Sequence, residues 1–246
     1  MKKTLLALLS FVLMAGTSFA LPMGSGLQDV LDSHTVGGTS SVTVATDYLA
    51  DTSDSTWTLS AVGGSMVSMI VELASYKDVN TFGIYNGSNS VELFNGGAST
   101  GSRALFSILD DGSVTLGLTP QDTGVDFSGN SFGFYLKSKN GYTYYSDTAR
   151  NGDGLDHMLA YDGVGDMFDV DGIGSMAAGP WNPNTWILAW EDLNGAYHDP
   201  NDQNSDRDFT DMVIMVSSVS PVPEPATLLL LGSGLVGLAF LKRRKS

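Results

Sequence analysis

The chain has 246 residues, no cysteine, and 12 Lys+Arg against 27 Asp+Glu, for a formal net charge of −15 at pH 7. Without cysteine there is no disulfide framework, no thiol catalysis and no Cys-ligated zinc or iron–sulfur centre. So acidic a surface repels phosphate backbones, which argues against nucleic acid as a partner, and the scattered His34, His157 and His198 show no paired metal-binding spacing.

At the N-terminus Lys2 and Lys3 lead into an apolar run over 5–14 and then a small-residue stretch ending at Ala20. This order predicts a signal peptide over 1–20, cut after Ala20. An anchor helix fits less well: roughly ten apolar residues span about 15 Å, half a bilayer core. Six of the Lys+Arg lie in the two chain ends, whereas of the acidic residues only Glu224 does. The segment 21–220 therefore carries 26 acidic against 6 basic side chains, a net of −20. Such a domain also repels anionic lipid and polysaccharide unless a divalent cation intervenes.

Within 21–220, short β-branched or alternating runs predict strands at 41–46, 57–59, 66–74, 81–85, 91–94, 104–109, 113–118, 132–137, 142–146, 157–161, 186–190 and 212–219. Asn140-Gly141 predicts a hairpin between two of them, because a type I′ turn needs positive φ at both central positions. Asp110-Asp111-Gly112 marks another reversal. No stretch between 21 and 221 reads convincingly as a helix. An all-β fold is expected, a jelly-roll-like β-sandwich with acidic loops, and no internal repeat suggests a propeller or solenoid.

Acidic residues crowd two later segments, 147–171 and 191–211. The second holds Glu191, Asp192, Asp199, Asp202, Asp206, Asp208 and Asp211 between two apolar strands. Two carboxylates ~6 Å apart repel by about 0.7 kcal/mol in water and several-fold more near a low-dielectric surface. They must therefore point apart or share a cation, and calcium suits oxygen-only ligands in loops. Asp202, Asn204 and Asp206 begin like an EF-hand, but Arg207 replaces the turn glycine and Val213 the final glutamate. On an extended chain Asp206 and Asp208 share a side, whereas Asp211 joins them only if the backbone turns near Phe209-Thr210. The bland alternative is a set of solvated loop charges.

Trp190-Glu191-Asp192-Leu193, a Gly/Asp/Asn-rich insert, and Asp206-Arg207-Asp208-Phe209-Thr210-Asp211 before an apolar strand resemble the family catalogued as domain of unknown function 4114. The elements Phe132-Gly133-Phe134-Tyr135-Leu136, Tyr145-Ser146-Asp147 and Asp156-His157-Met158-Leu159-Ala160-Tyr161 extend the likeness to about 130–217. Thr210 stands where that family often has Asn. The resemblance implies no agreed activity; the residue types suggest calcium, held by Glu191, Asp192, Asp206, Asp208 and Asp211. Arg207 reads as an ion-pair partner of its aspartate neighbours.

No G-x-S-x-G elbow occurs in 21–220, and chance carboxylate pairs are too common here to indicate a glycosidase. The expectation is a protein that is not an enzyme. Trp181, Trp186, Trp190, Tyr142, Tyr144 and Tyr145 are candidates for a sugar-stacking platform, but alternate aromatics on strands are more often core. A carbohydrate-binding adhesin is thus the alternative function, and a polysaccharide-acting enzyme the third.

The C-terminus runs Pro221-Val222-Pro223-Glu224-Pro225, an apolar segment over 226–241, and Lys242-Arg243-Arg244-Lys245. As a helix, 226–241 spans roughly 24 Å, a thin but adequate membrane segment. The basic cluster favours the cytoplasmic side and leaves 21–220 outside, as the signal peptide also requires. A Pro-Glu-Pro element (Pro223, Glu224, Pro225), an apolar helix and a basic terminus resemble the PEP-CTERM sorting tail over 221–246. That resemblance implies transient engagement of the inner membrane, removal of the helix by an exosortase, and delivery to the cell surface or exopolysaccharide matrix of a Gram-negative bacterium. A permanent single-pass anchor is the alternative.

Overall fold

The computed structural model describes residues 22, 24–60, 64–71, 79–138, 141–170, 178–194 and 205–223. Ala20, Glu224, Pro225 and the apolar segment 226–241 lie outside them. Among the described residues no helix is long and apolar enough to cross a membrane.

The strands are β1 (Trp57–Leu59), β2 (Ser65–Val71), β3 (Thr81–Asn86), β4 (Asn89–Phe94), β5 (Arg103–Ile108), β6 (Ser113–Leu116), β7 (Gln121–Asp126), β8 (Ser131–Lys137), β9 (Thr143–Tyr145), β10 (Met158–Asp162), β11 (Met167–Phe168), β12 (Gly179–Pro180), β13 (Thr185–Trp190), β14 (Met212–Ser217) and β15 (Val219–Pro221). They build two large sheets: β15-β1-β8-β3-β4 with β9 also on β8, and β10-β13-β14-β2-β5-β6-β7, while β11 and β12 form a separate ribbon. The chain is mostly β, as expected. Both halves of the sequence feed one core, in which Trp57, Phe82, Phe132 and Phe134 of the first sheet meet Phe106, Trp186, Leu188 and Ile214 of the second.

The apolar runs at 157–161, 186–190 and 212–216 have a physical reason: their strands are covered on both faces. Trp186, Leu188 and Trp190 face the shared core, while Ile187 and Ala189 face a second cluster with Leu27, Val30, Leu31, Phe168 and Phe209. Strands buried on both sides lose their polar alternation.

The second cluster contains a helix that the sequence reading missed, α1 (Gly26–His34), which lays Leu27, Val30 and Leu31 on the outer face of the second sheet. Their i, i+3, i+4 spacing is a helical stripe, but over nine residues it is a faint one. A single turn, α2 (Asp51–Asp54), was likewise unforeseen. The strand expected at 41–46 is absent: Val42 and Val44 are buried, but Asp47 accepts hydrogen bonds from Thr43 N at 2.8 Å and Thr46 Oγ1 at 2.8 Å and curls the segment into a turn. β7 was missed for the opposite reason, since it is an edge strand with no buried face.

The expected hairpin forms between β8 and β9, pairing Tyr135 with Tyr145, and Gly141 adopts φ 81° in its turn. Asn140 lies outside the described residues. The run expected over 212–219 is broken at Ser218, with φ 60°, into β14 and β15, which belong to different sheets.

Candidate metal centre

Glu191 and Asp192 follow the last residue of β13, and Asp211 precedes the first residue of β14. Because Trp190 pairs with Met212, antiparallel register carries the three carboxylates beyond the paired strand ends to the same edge of the sheet. Asp206 and Asp208 arrive by a different route. Arg207 and Phe209 both adopt φ 54°, a left-handed conformation that costs a non-glycine residue on the order of 1–2 kcal/mol. Phe209 is anchored by burial in the cluster beneath α1, at 1% exposure. The reversals coil the segment so that Asp206 and Asp208 turn back towards Glu191.

Two sets of carboxylates converge: Glu191 with Asp206 and Asp208, and Glu191 with Asp192 and Asp211, each set with its ligand oxygens within 4.8 Å of one another. Glu191 belongs to both. All five residues singled out in the sequence thus meet at one place, and the cluster can hold a metal ion.

Hydrogen bonds fix several of the oxygens. The Asp192 amide donates to Asp211 Oδ2 at 2.8 Å, and the Thr210 amide and hydroxyl donate to Asp208 Oδ1 at 2.8 and 2.7 Å. Asn80, just before β3, donates from Nδ2 to Asp192 Oδ2 at 2.7 Å. It was invisible from the sequence because 112 residues separate the pair. Asn80 is fully buried, and neither its Oδ1 nor Glu191 Oε2 has a hydrogen-bond partner among the described residues. His157 lies beneath, with Nδ1 3.1 Å from the Glu191 carbonyl, Nε2 2.9 Å from Asp153 Oδ2, and its ring stacked on Tyr144.

Burial, and then the charge of Asp206, push Glu191 up to about 7. Burial, and then Glu191 and Asp192, push Asp211 up to about 9. Asp192 is raised by burial, against the lowering effects of the Asn80 hydrogen bond and His157. The cause is common to all three: negative charge held out of water without enough positive charge beside it. Arg207 does not supply it. The ion-pair role expected for it is not observed, since it makes no salt bridge with a described carboxylate; His157 pairs with Asp153 instead.

Of the aromatics weighed as a sugar-stacking platform, most are core, the reading favoured for alternate strand aromatics: Trp181, Trp186, Trp190 and Tyr144 are buried, and of the six only Tyr142 is well exposed. A different concavity of about 620 Å³ lies on the outer face of β3, β4, β8 and β9. There the Arg150 guanidinium sits 4.4 Å from the ring centres of both Tyr85 and Tyr145, with Lys137 and Glu92 on the same lining.

Comparison with known proteins identifies the chain's end. Residues 221–245 match the PEP-CTERM protein-sorting motif. That motif is the recognition signal for exosortase and marks an exported protein that transits a membrane. No curated protein and no solved structure matches the chain.

Proposed function

We propose that this is a non-enzymatic protein of the cell surface or extracellular matrix, stabilised by calcium at the Glu191 centre and associated with exopolysaccharide after exosortase processing. The two sheets are read as the leaves of a jelly-roll-like β-sandwich, and the likeness of 130–217 to domain of unknown function 4114 is part of the same reading. One observation carries the cation: Glu191, whose Oε2 is buried with no hydrogen-bond partner among the described residues, belongs to both carboxylate sets. A buried ionised carboxylate costs several kcal/mol unless it is paired or ligated. Oxygen-only ligands from loops favour a hard divalent ion of calcium's size over zinc or copper.

Extracellular calcium modules bind at about 10⁻⁴–10⁻³ M. At a dissociation constant of about 0.1 mM, about 10 mM calcium adds roughly 2.7 kcal/mol of folding stability. For about 200 residues that raises the melting temperature by roughly 5–10 °C. The expected result, for the full-length chain in mild detergent, is such a shift between calcium and chelator, mostly lost in Asp206→Asn/Asp208→Asn. Coincident melting curves would sink the reading.

The second reading, a carbohydrate-binding adhesin, is favoured by the groove around Arg150. A guanidinium fixed between two tyrosine rings is a preorganised donor for the carboxylate of an acidic sugar. A glycan array with and without chelator separates the two: binding lost in Arg150→Ala but indifferent to calcium would support the adhesin.

A further inference from the structure

The carboxylates of the Glu191 centre converge, but not on a single point. Oxygens bound to one calcium ion sit about 2.3–2.6 Å from it, so no two of them lie much more than about 5 Å apart. Glu191, Asp206 and Asp208 meet that limit together, and so do Glu191, Asp192 and Asp211, each set within 4.8 Å. Among the described residues no such set joins Asp206 or Asp208 with Asp192 or Asp211. One ion can therefore take one set and not both. Charge leads to the same place: these carboxylates, all ionised, keep about three uncompensated charges beside one divalent ion and about one beside two. Glu191, at 2% exposure, sits at the junction, where uncompensated charge costs most.

A group outside the acidic cluster marks the second set. Asn80 is 0% exposed, its Nδ2 donates to Asp192 Oδ2 at 2.7 Å, and its Oδ1 has no hydrogen-bond partner among the described residues. Covalent geometry keeps that oxygen within about 5 Å of Asp192 Oδ2. The ionised carboxylates beside it are acceptors only and cannot supply the donor it lacks. A cation can, since amide oxygens are ordinary calcium ligands. Asn80 directly precedes β3 in the first sheet, whereas Asp192 lies just beyond β13 in the second. An ion held between them clasps the two sheets together.

We propose that the centre holds two calcium ions bridged by Glu191: an outer ion on Asp206 and Asp208, and an inner ion on Asp192, Asp211 and the Asn80 amide oxygen. The pair rests on the calcium reading above and adds to it a second ion with a different task. Asp206 is exposed and Asp192 buried, so the outer ion keeps more of its water, binds more tightly and dominates the melting shift. The inner ion is the weaker one.

Equilibrium dialysis of the full-length chain in mild detergent, against calcium chloride up to about 10 mM, counts the ions. The parent should bind one equivalent more than Asp206→Asn/Asp208→Asn, one more than Asp192→Asn/Asp211→Asn, and two more than the variant combining all four changes. Asp122→Asn/Asp126→Asn, on the exposed edge strand β7, loses the same charge as either pair and should match the parent. A parent only one equivalent above the fourfold variant overturns the second ion and leaves a single calcium centre standing. A parent equal to the fourfold variant overturns both readings. Melting in chelator checks that each variant folds. Should those at Asp192 and Asp211 not fold, crystals of the parent grown in calcium decide: two ions about 4 Å apart uphold the pair, and a lone ion overturns it.

Discussion

Glu191 and Asp211 sit where register and burial leave them little choice, and their protons report it. A carboxyl whose pKa is higher folded than unfolded holds its proton more tightly in the folded chain. Its contribution to stability is complete below its unfolded pKa, near 4, and is lost as pH rises through the folded value. For Glu191 that window ends near pH 7 and for Asp211 near pH 9. In chelator, therefore, the melting temperature should fall between about pH 5 and about pH 8. Calcium competes with those protons, so saturating calcium should flatten or reverse the slope. A slope indifferent to calcium in differential scanning calorimetry would mean that the carboxylates do not face a cation. At this scale the sequence was informative where ligands are neighbours and silent where they are not. Asp206, Asp208 and Asp211 declare themselves by crowding into one short segment; Asn80 depends on a contact that closes only in three dimensions.

Register also explains how the elements behave. Tyr85 pairs with Gly133 and Gly83 with Tyr135 across β3 and β8, so each tyrosine stands opposite the other strand's glycine. A Cβ on Gly133 would lie 2.5 Å from the Tyr85 ring, and one on Gly83 2.6 Å from the Tyr135 ring. Tyr85 cannot simply swing aside, because Tyr145 packs edge-on at 4.9 Å and Arg150 covers its face. Gly133→Ala should therefore cost about 1–3 kcal/mol, the usual penalty for overpacking. Urea titration measures it; an unchanged midpoint would mean that the rings are not held. Phe209→Ala should cost about 3–5 kcal/mol by emptying the cluster under α1, and should also weaken calcium binding by releasing the coil that carries Asp206 and Asp208. Elements with one or two strongly apolar faces were legible beforehand. Where the pattern was ambiguous, tertiary contacts decided: α1 is short, β7 has no apolar face, and at 41–46 Asp47 overrode the alternation of Val42 and Val44.

For the molecule as a whole, the matched tail fixes a fate that the folded part does not encode. Cleavage near 223–225 predicts that the extracellular protein, weighed intact, lacks residues from about 226 onward. Full-length chain confined to the inner membrane of a strain with working exosortase would contradict this. The expected membrane helix, Ala20, Glu224 and Pro225 fall outside the described residues, and Pro223 within them.

The pairings of β1 with β15 and of β2 with β14 set a clock on that journey. The first sheet is closed at one edge and the second near its middle by strands from opposite ends of the fold, and such distant closures are slow to form. A chain crossing the export channel from its N-terminus holds one edge of β1 and one edge of β2 unpaired until 212–221 emerge. Only residues 222–225 then separate the last strand from the apolar segment. Completion of the fold and arrival of the sorting signal at the membrane thus become nearly the same event. A chain ending before Met212 should remain protease-sensitive throughout.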